Sequence, residues 1–251
     1  MNLVLSGTPR VIMLDVDGTL APIAPRPELA VVPAETRRAI AALAAQPGVI
    51  VCLVSGRAAI DARRMVGVDG MWVIGNHGAE VMRPDGGIEV DPAVVPFRDG
   101  LDRAAAALAP VVDGVPGSIL EHKGWTLSVH YRAVDPAAAA GLARAVGNIA
   151  EREGLSVRDG KKVIEVRPPV SVDKGTAVVA LARRLGALAP GASLLFAGDD
   201  VTDEDAFRAL RANGSSAITV QVALEGDGRS SAEYRVDDPA AMRALLAGLA
   251  S

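Results

Sequence analysis

Short runs of apolar residues, rich in β-branched side chains, recur in the first and last parts of the chain, and each ends in small or acidic residues. Most of them are followed by a helical spacing of apolar positions. Strands are predicted at residues 11–16, 49–54, 71–74, 194–197 and 216–222, and helices at 34–45, 58–66, 175–185 and 204–212. This alternation favours an α/β fold in which helices cover both faces of a parallel sheet. In such sheets ligands bind at the carboxyl ends of the strands.

The middle of the chain has a different pattern, in which four strands surround one helix. Strands are predicted at residues 118–120, 126–131, 155–158 and 163–166, with a helix at 136–152. The order strand, strand, helix, strand, strand is typical of a small open-faced α/β domain. The segments 94–99 and 167–172 are places where the chain can leave and rejoin the first domain. We therefore expect a core domain made of residues 1–98 and 169–251, with a smaller domain inserted at 99–168.

Composition narrows the classes of function. Of 251 residues 50% are hydrophobic, which is enough for one substantial core or two modest ones. A formal net charge of −4 and an aromatic content of 3% argue against nucleic-acid binding. Cys52 is the single cysteine, which fits a reducing compartment, and its apolar neighbours favour simple packing. Residues 1–10 contain no long apolar stretch, so we expect a cytoplasmic protein without a membrane partner.

The sharpest chemical signal is Asp15-Val16-Asp17-Gly18-Thr19-Leu20, directly after an apolar strand. Two carboxylates spaced by one residue at a strand end can both face a cation. One can attack phosphorus while the other transfers protons. Gly18 allows a turn in which backbone N–H groups approach a phosphate. The motif taken alone also fits a turn with capping side chains.

Two further motifs open predicted helices. Ser55-Gly56-Arg57 follows the second strand and offers a hydroxyl and backbone donors to an anion, although serine is also a common helix N-cap. Lys174-Gly175 opens a later helix, where an ammonium opposes the helix dipole unless an anion lies near. A solvated lysine is the simpler interpretation of that residue by itself.

The run Gly198-Asp199-Asp200-Val201-Thr202-Asp203-Glu204-Asp205 follows the strand at 194–197 and concentrates carboxylates at its end. Such density is self-repelling unless a hard cation is present. Some of these side chains are expected only to cap the next helix. Oxygen ligands without a His and Cys cluster point to Mg²⁺ rather than zinc, and they leave Mn²⁺ and Co²⁺ open.

These four motifs, in this order and each after a strand or at a helix start, resemble the haloacid dehalogenase (HAD) superfamily of phosphohydrolases. The resemblance implies a HAD-type Rossmann-like parallel-sheet core with an inserted α/β cap domain. It also implies a catalytic set and a metal set that share two aspartates. The implied roles are Asp15 as nucleophile, Asp17 as general acid and base, Ser55 and Lys174 as phosphate holders, and Asp15, Asp17 through its carbonyl, Asp199 and Asp203 around Mg²⁺.

The inserted domain narrows the resemblance. Glu121-His122-Lys123-Gly124, His130-Tyr131-Arg132, Gly160-Lys161 and Glu165-Val166-Arg167-Pro168 look like trehalose-phosphatase cap motifs, and Gly75-Asn76-His77-Gly78-Ala79-Glu80 also matches that family. The implied substrate-binding residues are Gly18, Thr19, Arg57, Glu121, Lys123, Arg132, Lys161 and Glu165. Charged groups on strands can orient a disaccharide through charge-assisted hydrogen bonds. From the residues alone, a salt-bridged solvent face is the competing explanation.

The resemblance implies hydrolysis of trehalose 6-phosphate through an aspartyl phosphate, with a small-molecule sugar phosphate as partner. We also expect a monomer. The sugar phosphate would come from a separate trehalose-6-phosphate synthase, and direct channelling is neither required nor excluded. Two alternatives stay open. The first is a phosphatase for sucrose phosphate or glucosylglycerol phosphate, and the second is a catalytically silent sugar-phosphate sensor. Retention of both Asp15 and Asp17 argues against the sensor, because binding alone needs no acid.

Overall fold

The computed structural model describes residues 3–160, 162–223 and 229–250, and the chain divides into two compact units. The first unit combines Met1–Glu89 with Val172–Ser251, and the second unit is Val90–Ser171. The stretch 99–168, expected to be an inserted domain, falls inside the second unit. No helix in the described ranges is both long enough and apolar enough to cross a membrane.

Strands and helices alternate through most of the described chain. The strands are β1 (Arg10–Asp15), β2 (Val49–Val54), β3 (Trp72–Gly75), β4 (Glu80–Met82), β5 (Ile88–Val90), β6 (Ile119–His122), β7 (Leu127–His130), β8 (Ser156–Gly160), β9 (Val163–Arg167), β10 (Ser193–Gly198), β11 (Ile218–Val222) and β12 (Tyr234–Val236). The α-helices are α1 (Ala34–Ala44), α2 (Ala59–Val66), α3 (Arg98–Asp113), α4 (Pro136–Arg152), α5 (Lys174–Arg184), α6 (Val201–Ala212) and α7 (Pro239–Ala250).

The sheet of the first unit has the strand order β12-β11-β10-β1-β2-β3-β4-β5. Neighbours from β12 to β3 pair in parallel, whereas β4 pairs antiparallel with β3. The expected α/β fold with a parallel sheet is therefore confirmed, with an antiparallel edge that the apolar pattern did not predict. β1 lies at the centre, between β2 and β10, so its carboxyl end is flanked by the ends of both neighbours.

Both faces of this sheet are covered, and the central strand β1 is apolar from Val11 to Leu14. Ile12 and Leu14 belong to the apolar cluster shared with α1, α2 and α7. Val11 and Met13 point the other way, into the cluster shared with α5 and α6. Continuous burial of β1 from Val11 to Asp15 is the pattern expected for a strand covered on both faces.

The sheet of the second unit is antiparallel, in the order β6-β7-β9-β8. Leu127, Val129 and Val166 from this sheet pack with Leu101 of α3 and Val146 of α4 in one apolar cluster. The prediction of a single helix in this unit is wrong, since α3 precedes the strands. Helices α3 and α4 share the apolar side of the sheet, and the alternate positions along the strands carry polar side chains.

Candidate active site

Asp15 is the last residue of β1 and its carboxyl group is buried, with the residue only 3% exposed. Oδ1 accepts a hydrogen bond from Nζ of Lys174 at 2.7 Å. Oδ2 has no hydrogen-bond partner among the described residues. An oriented carboxylate with one unbonded oxygen can serve as a nucleophile or as a metal ligand.

The loop after β1 turns sharply at Gly18, whose φ is 90°. Gly18 donates its N–H to the carbonyl of Ala21 at 2.7 Å. A Cβ at position 18 would lie 2.3 Å from the carboxyl carbon of Asp199, so only glycine lets this loop approach that side chain. Thr19 is fully buried, and its hydroxyl has no hydrogen-bond partner among the described residues.

Asp17 is held by Arg57 in a two-point contact. Nε of Arg57 is 2.6 Å from Oδ2 of Asp17, and Nη2 is 2.7 Å from Oδ1. The same Nη2 donates to the carbonyl of Pro27 at 3.0 Å. Arg57 was expected to bind substrate, and the structure places its guanidinium on Asp17. A bidentate pair of this kind fixes the plane and the position of the carboxylate.

Lys174 is the first residue of α5, and Asp173 caps the helix with a capping box to Thr176. The Lys174 side chain is 2% exposed, and its Nζ lies 2.7 Å from Asp15 and 2.9 Å from Asp203. The sequence suggested that this unfavourably placed lysine has an anionic partner. The anionic partners are the carboxylates of Asp15 and Asp203, so the lysine connects the end of β1 to α6.

The loop between β10 and α6 also contributes acidic residues to the site. Asp200 is the N-cap of α6 and accepts hydrogen bonds from the backbone N–H groups of Thr202 and Asp203. Oδ2 of Asp203 accepts from the N–H groups of Asp199 at 2.9 Å and Asp200 at 3.1 Å. The expectation that some acidic residues of this run cap the helix therefore agrees with the position of Asp200.

Asp15, Asp199 and Asp203 each present an oxygen atom, and these atoms all lie within 4.8 Å of one another. Such an all-oxygen group could hold a hard cation such as Mg²⁺. Oδ2 of Asp15 has no hydrogen-bond partner among the described residues, so this carboxylate has an oxygen available to a cation or to a phosphoryl group. Asp17 was expected to reach the metal through its backbone carbonyl, and its carboxylate is bonded to Arg57.

Burial and crowding shift the pKa values of these groups. Burial, with help from the charges of Asp199 and Asp200, raises the pKa of Asp15 to about 7 despite the opposing effect of Lys174. Burial likewise raises the pKa of Asp203 well above its usual range. Burial disfavours the charged form of Lys174, but its neighbouring carboxylates raise its pKa well above the ordinary value. The site therefore carries excess acidic groups that an added cation would neutralise.

Ser55 follows β2, and in the register of the sheet Val54 lies beside Asp15. The serine is 1% exposed, and its Oγ accepts a hydrogen bond from the N–H of Arg57 at 3.1 Å. The expected nucleophile and the expected phosphate-binding hydroxyl therefore stand at the ends of neighbouring strands.

The polar side of the sheet in the second unit carries a row of side chains aligned by the strand register. Glu121 on β6 is opposite Ser128 on β7, Ser128 is opposite Glu165 on β9, and Glu165 is opposite Arg158 on β8. The hydroxyl of Ser128 is buried without a hydrogen-bond partner among the described residues. Ser128 was not singled out from the sequence, although its period-two spacing from His130 places both on one face of β7.

Cationic groups lie against both glutamates of that row. Glu121 is 2.9 Å from Nε2 of His130 and 3.7 Å from Nζ of Lys123. Glu165 is paired with Arg167, and both of these residues are 8% exposed. Lys123 directly follows β6, and its contact with Glu121 brings the two expected substrate residues together. The burial of Glu165 is greater than a salt-bridged solvent face would have.

The structure does not bring all the expected substrate residues together in this unit. Arg132 follows the end of β7 and is exposed. Lys161 lies outside the described residues. Arg167, which was noted only as part of a motif, is the partner of Glu165. The signal that could have identified it is its spacing, because residues two apart on a strand share a face.

Comparisons with known proteins agree with this geometry. The family model described as trehalose-phosphatase matches residues 13–240. An uncharacterized glycosyl hydrolase of Mycobacterium tuberculosis is 41% identical over 249 residues, covering 98% of this chain and 18% of that protein. A trehalose-phosphate phosphatase of Mycobacterium marinum is 35% identical over 245 residues, covering 96% of this chain and 61% of that protein. The chain therefore spans less than two thirds of the length of these relatives.

A solved structure described as a trehalose-6-phosphate phosphatase related protein superposes with a TM-score of 0.83 at 28% identity, and the match covers 96% of both chains. The parallel sheet, with Asp15 at the end of its central strand, defines a phosphohydrolase fold of the HAD type. Within that class the chain belongs to the trehalose-phosphatase family.

Proposed function

We propose that the protein is a phosphoric monoester hydrolase that converts trehalose 6-phosphate to trehalose and phosphate, with Asp15 as the covalent nucleophile. The proposal rests on the hydrogen bonding of the buried Asp15 carboxylate, in a chain that belongs to the trehalose-phosphatase family. Lys174 holds one carboxylate oxygen at 2.7 Å, and the other oxygen has no protein partner among the described residues.

In the first chemical step Oδ2 of Asp15 attacks phosphorus, a bond forms between them, and the bond from phosphorus to the sugar oxygen breaks. Asp17 donates a proton to the departing sugar oxygen. In the second step water attacks phosphorus while Asp17 takes a proton from it, and the bond from phosphorus to the Asp15 oxygen breaks, which frees the carboxylate and inorganic phosphate. In this structure Arg57 binds both carboxylate oxygens of Asp17, so this contact has to open before Asp17 can carry the proton.

The metal proposed for this site is Mg²⁺. Asp15, Asp199 and the carbonyl of Asp17 would hold it, and Asp203 would support it, since both oxygens of Asp203 already accept hydrogen bonds. When bound, Mg²⁺ neutralises the negative charge of the carboxylates and of the phosphoryl group. Ser55 and Lys174 donate hydrogen bonds to the phosphoryl oxygens, and the hydroxyl of Thr19, which has no hydrogen-bond partner in the described part of the chain, offers a further donor. The N–H of Gly18 is bonded to the carbonyl of Ala21, so Gly18 contributes through its turn.

Recognition of the sugar is assigned to the second unit, as the cap, and the chemistry to the first. Glu121 lies beside Lys123 and Glu165 beside Arg167, and these basic side chains limit the motion of the carboxylates. Both glutamates can therefore accept hydrogen bonds from sugar hydroxyls at little entropic cost. Lys123 has a side chain that is 9% exposed, and it can donate to an adjacent hydroxyl. Arg132 and Lys161 complete the set by resemblance.

We also infer that the protein acts in the cytoplasm as a monomer, on substrate delivered by a separate synthase. Sedimentation of the purified chain tests the monomer. A dimer that persists at low protein concentration would contradict it.

The substrate proposal is tested by phosphate release from trehalose 6-phosphate, glucose 6-phosphate, sucrose 6-phosphate and glucosylglycerol phosphate, with Mg²⁺ and with a chelator. We expect the highest kcat/KM for trehalose 6-phosphate and no turnover with the chelator. Preference for another sugar phosphate would be consistent with the aspartate mechanism but would change the sugar that we assign to the second unit. Binding without turnover of any substrate would favour the silent sensor.

A further inference from the structure

The motif at residues 75–80 forms a tight turn between β3 and β4 that the proposed reaction does not use. Asn76 has φ 48° and His77 has φ 55°, so two consecutive residues other than glycine have left-handed backbone. Such conformations persist only where surrounding contacts hold them, and they concentrate near functional sites. The contacts of this turn therefore show which parts of the site it holds in place.

Backbone hydrogen bonds tie the turn to the phosphate-binding loop at residues 55–57. Asn76 donates its N–H to the carbonyl of Arg57 at 2.7 Å, and His77 donates to the carbonyl of Ser55 at 3.1 Å. The N–H of Ser55 donates to the carbonyl of Ile74 at 2.8 Å. Ser55 and Arg57 thus take their positions from the chain around this turn, as well as from their own loop.

The other side of the turn meets the start of α5. A Cβ on Gly78 would lie 2.6 Å from the carbonyl oxygen of Asp173, the residue that caps α5 immediately before Lys174. Gly78 has φ 109°, which a larger residue would adopt only with strain. The turn is therefore packed between the loop that carries Ser55 and the helix end that carries Lys174.

Glu80, the first residue of β4, joins the turn to α2. It is 6% exposed, and its Oε1 accepts hydrogen bonds from the N–H of Ala59 at 2.6 Å and from Nδ2 of Asn76 at 3.0 Å. The N-cap of α2 is Ala58, which makes no side-chain capping bond. Glu80 replaces that missing cap from a neighbouring strand and binds the side chain of the left-handed Asn76 with the same oxygen.

We propose that Glu80 is a positioning residue: it holds the turn at residues 76–78 and the first turn of α2 together, and so fixes the phosphate-binding loop between them relative to Lys174. This role rests on the proposed phosphatase function, because it acts through Ser55 and Arg57. It concerns the phosphate end of the substrate, so its effect is independent of the sugar.

Three variants test the role. Glu80→Ala removes the acceptor, and Glu80→Gln keeps a carbonyl oxygen that can accept both hydrogen bonds while removing the charge. Asp61→Ala is the matched control, since Asp61 lies in the first turn of the same helix with a half-exposed side chain paired only to Arg64 in the described contacts. Each is assayed with Mg²⁺ on trehalose 6-phosphate and on p-nitrophenyl phosphate, and inorganic phosphate affinity is measured by calorimetry.

For Glu80→Ala we expect kcat to fall by about tenfold to a hundredfold on both substrates, with a smaller change in KM, because misplacing a group that holds the reacting phosphoryl lowers the rate of the chemical step. Glu80→Gln and Asp61→Ala should stay near the wild-type kcat. Unchanged kcat in folded Glu80→Ala, or equal losses in Glu80→Ala and Glu80→Gln, would overturn the positioning role.

Two further measurements cover the cases in which Glu80→Ala does not fold or the wild-type protein is inactive. If Glu80→Ala does not fold, Asn76→Gly removes the amide that binds Glu80 while accepting the positive φ, and it should lower kcat without a matching rise in KM; an unchanged kcat would overturn the role. If the wild-type protein turns over neither substrate, the proposed function fails. The phosphate affinity of the variants then tests Glu80 separately, with weaker binding expected for Glu80→Ala alone.

Discussion

Replacement of Lys174 by methionine tests the electrostatic balance of the site. Methionine keeps an unbranched side chain of comparable length and removes the ammonium group. In the wild-type protein Nζ lies 2.7 Å from Asp15 and 2.9 Å from Asp203, and the three side chains are at most 5% exposed. The variant therefore leaves two buried carboxyl groups without the cation that they share.

The expected cost follows from that burial. Removal of one partner from a buried ion pair lowers the free energy of unfolding by up to about 3–5 kcal/mol, since each remaining carboxyl group either keeps a desolvated, unpaired charge or takes up a proton. Domains of ordinary stability have only about 5–15 kcal/mol in total. Lys174→Met should therefore be folded but clearly weakened in a metal-free buffer. Mg²⁺ should recover part of the loss, because a cation held by Asp15 and Asp199 supplies positive charge to the same cluster.

Urea unfolding followed by circular dichroism, in chelator and in Mg²⁺, measures both effects. Arg38→Met is the control, because the pair of Arg38 with Glu35 is mostly exposed and should contribute little. An unfolding midpoint for Lys174→Met equal to that of the wild-type protein in chelator would refute the argument. So would a loss of the same size with and without Mg²⁺.

Three further outcomes are expected. Asp15→Asn should lower kcat on the order of 10⁴-fold or more while circular dichroism stays unchanged, because the nucleophile is lost and the fold is kept; retained hydrolysis would remove Asp15 from that role. Mg²⁺ at about a hundred times its Kd should raise the free energy of unfolding of the wild-type protein by about 2.7 kcal/mol, and Asp199→Asn should reduce this gain in the same denaturation assay. Gly18→Ala should weaken Mg²⁺ binding measured by calorimetry, since φ is 90° there and the added Cβ would lie 2.3 Å from the carboxyl carbon of Asp199; unchanged affinity would contradict the close approach of the two.

The central strands of the parallel sheet could be predicted because burial on both faces makes most of their positions apolar, whereas the half-buried edge strand β12 was not predicted. β1 and β2 differ from their predicted limits by at most one residue at either end. The helix α3 and the strand β4 were not predicted, because their sequences show little contrast between apolar and polar positions. α3 contains the alanine run 104–107 and Pro110 inside the helix, and β4 has only three residues. Their structure depends on neighbours distant in sequence.

The sequence also predicted some features of the candidate site and missed others. Residues at strand ends and helix starts, such as Asp15 and Lys174, could be identified because the fold places those ends together. The partner of each side chain could not be identified, because it is set by tertiary packing. Arg57 was expected on the substrate and lies on Asp17, and Glu80 caps a helix from a different strand. Spacing along the chain contains no record of either contact.

The central claim is that Asp15 becomes phosphorylated during hydrolysis of trehalose 6-phosphate. Rapid acid quenching of the wild-type protein with trehalose 6-phosphate and Mg²⁺, followed by peptide mass spectrometry, tests it most directly. We predict one added phosphoryl group on the peptide that contains Asp15, absent in Asp15→Asn. Turnover with no phosphorylated peptide, or with the group on another residue, would contradict the account.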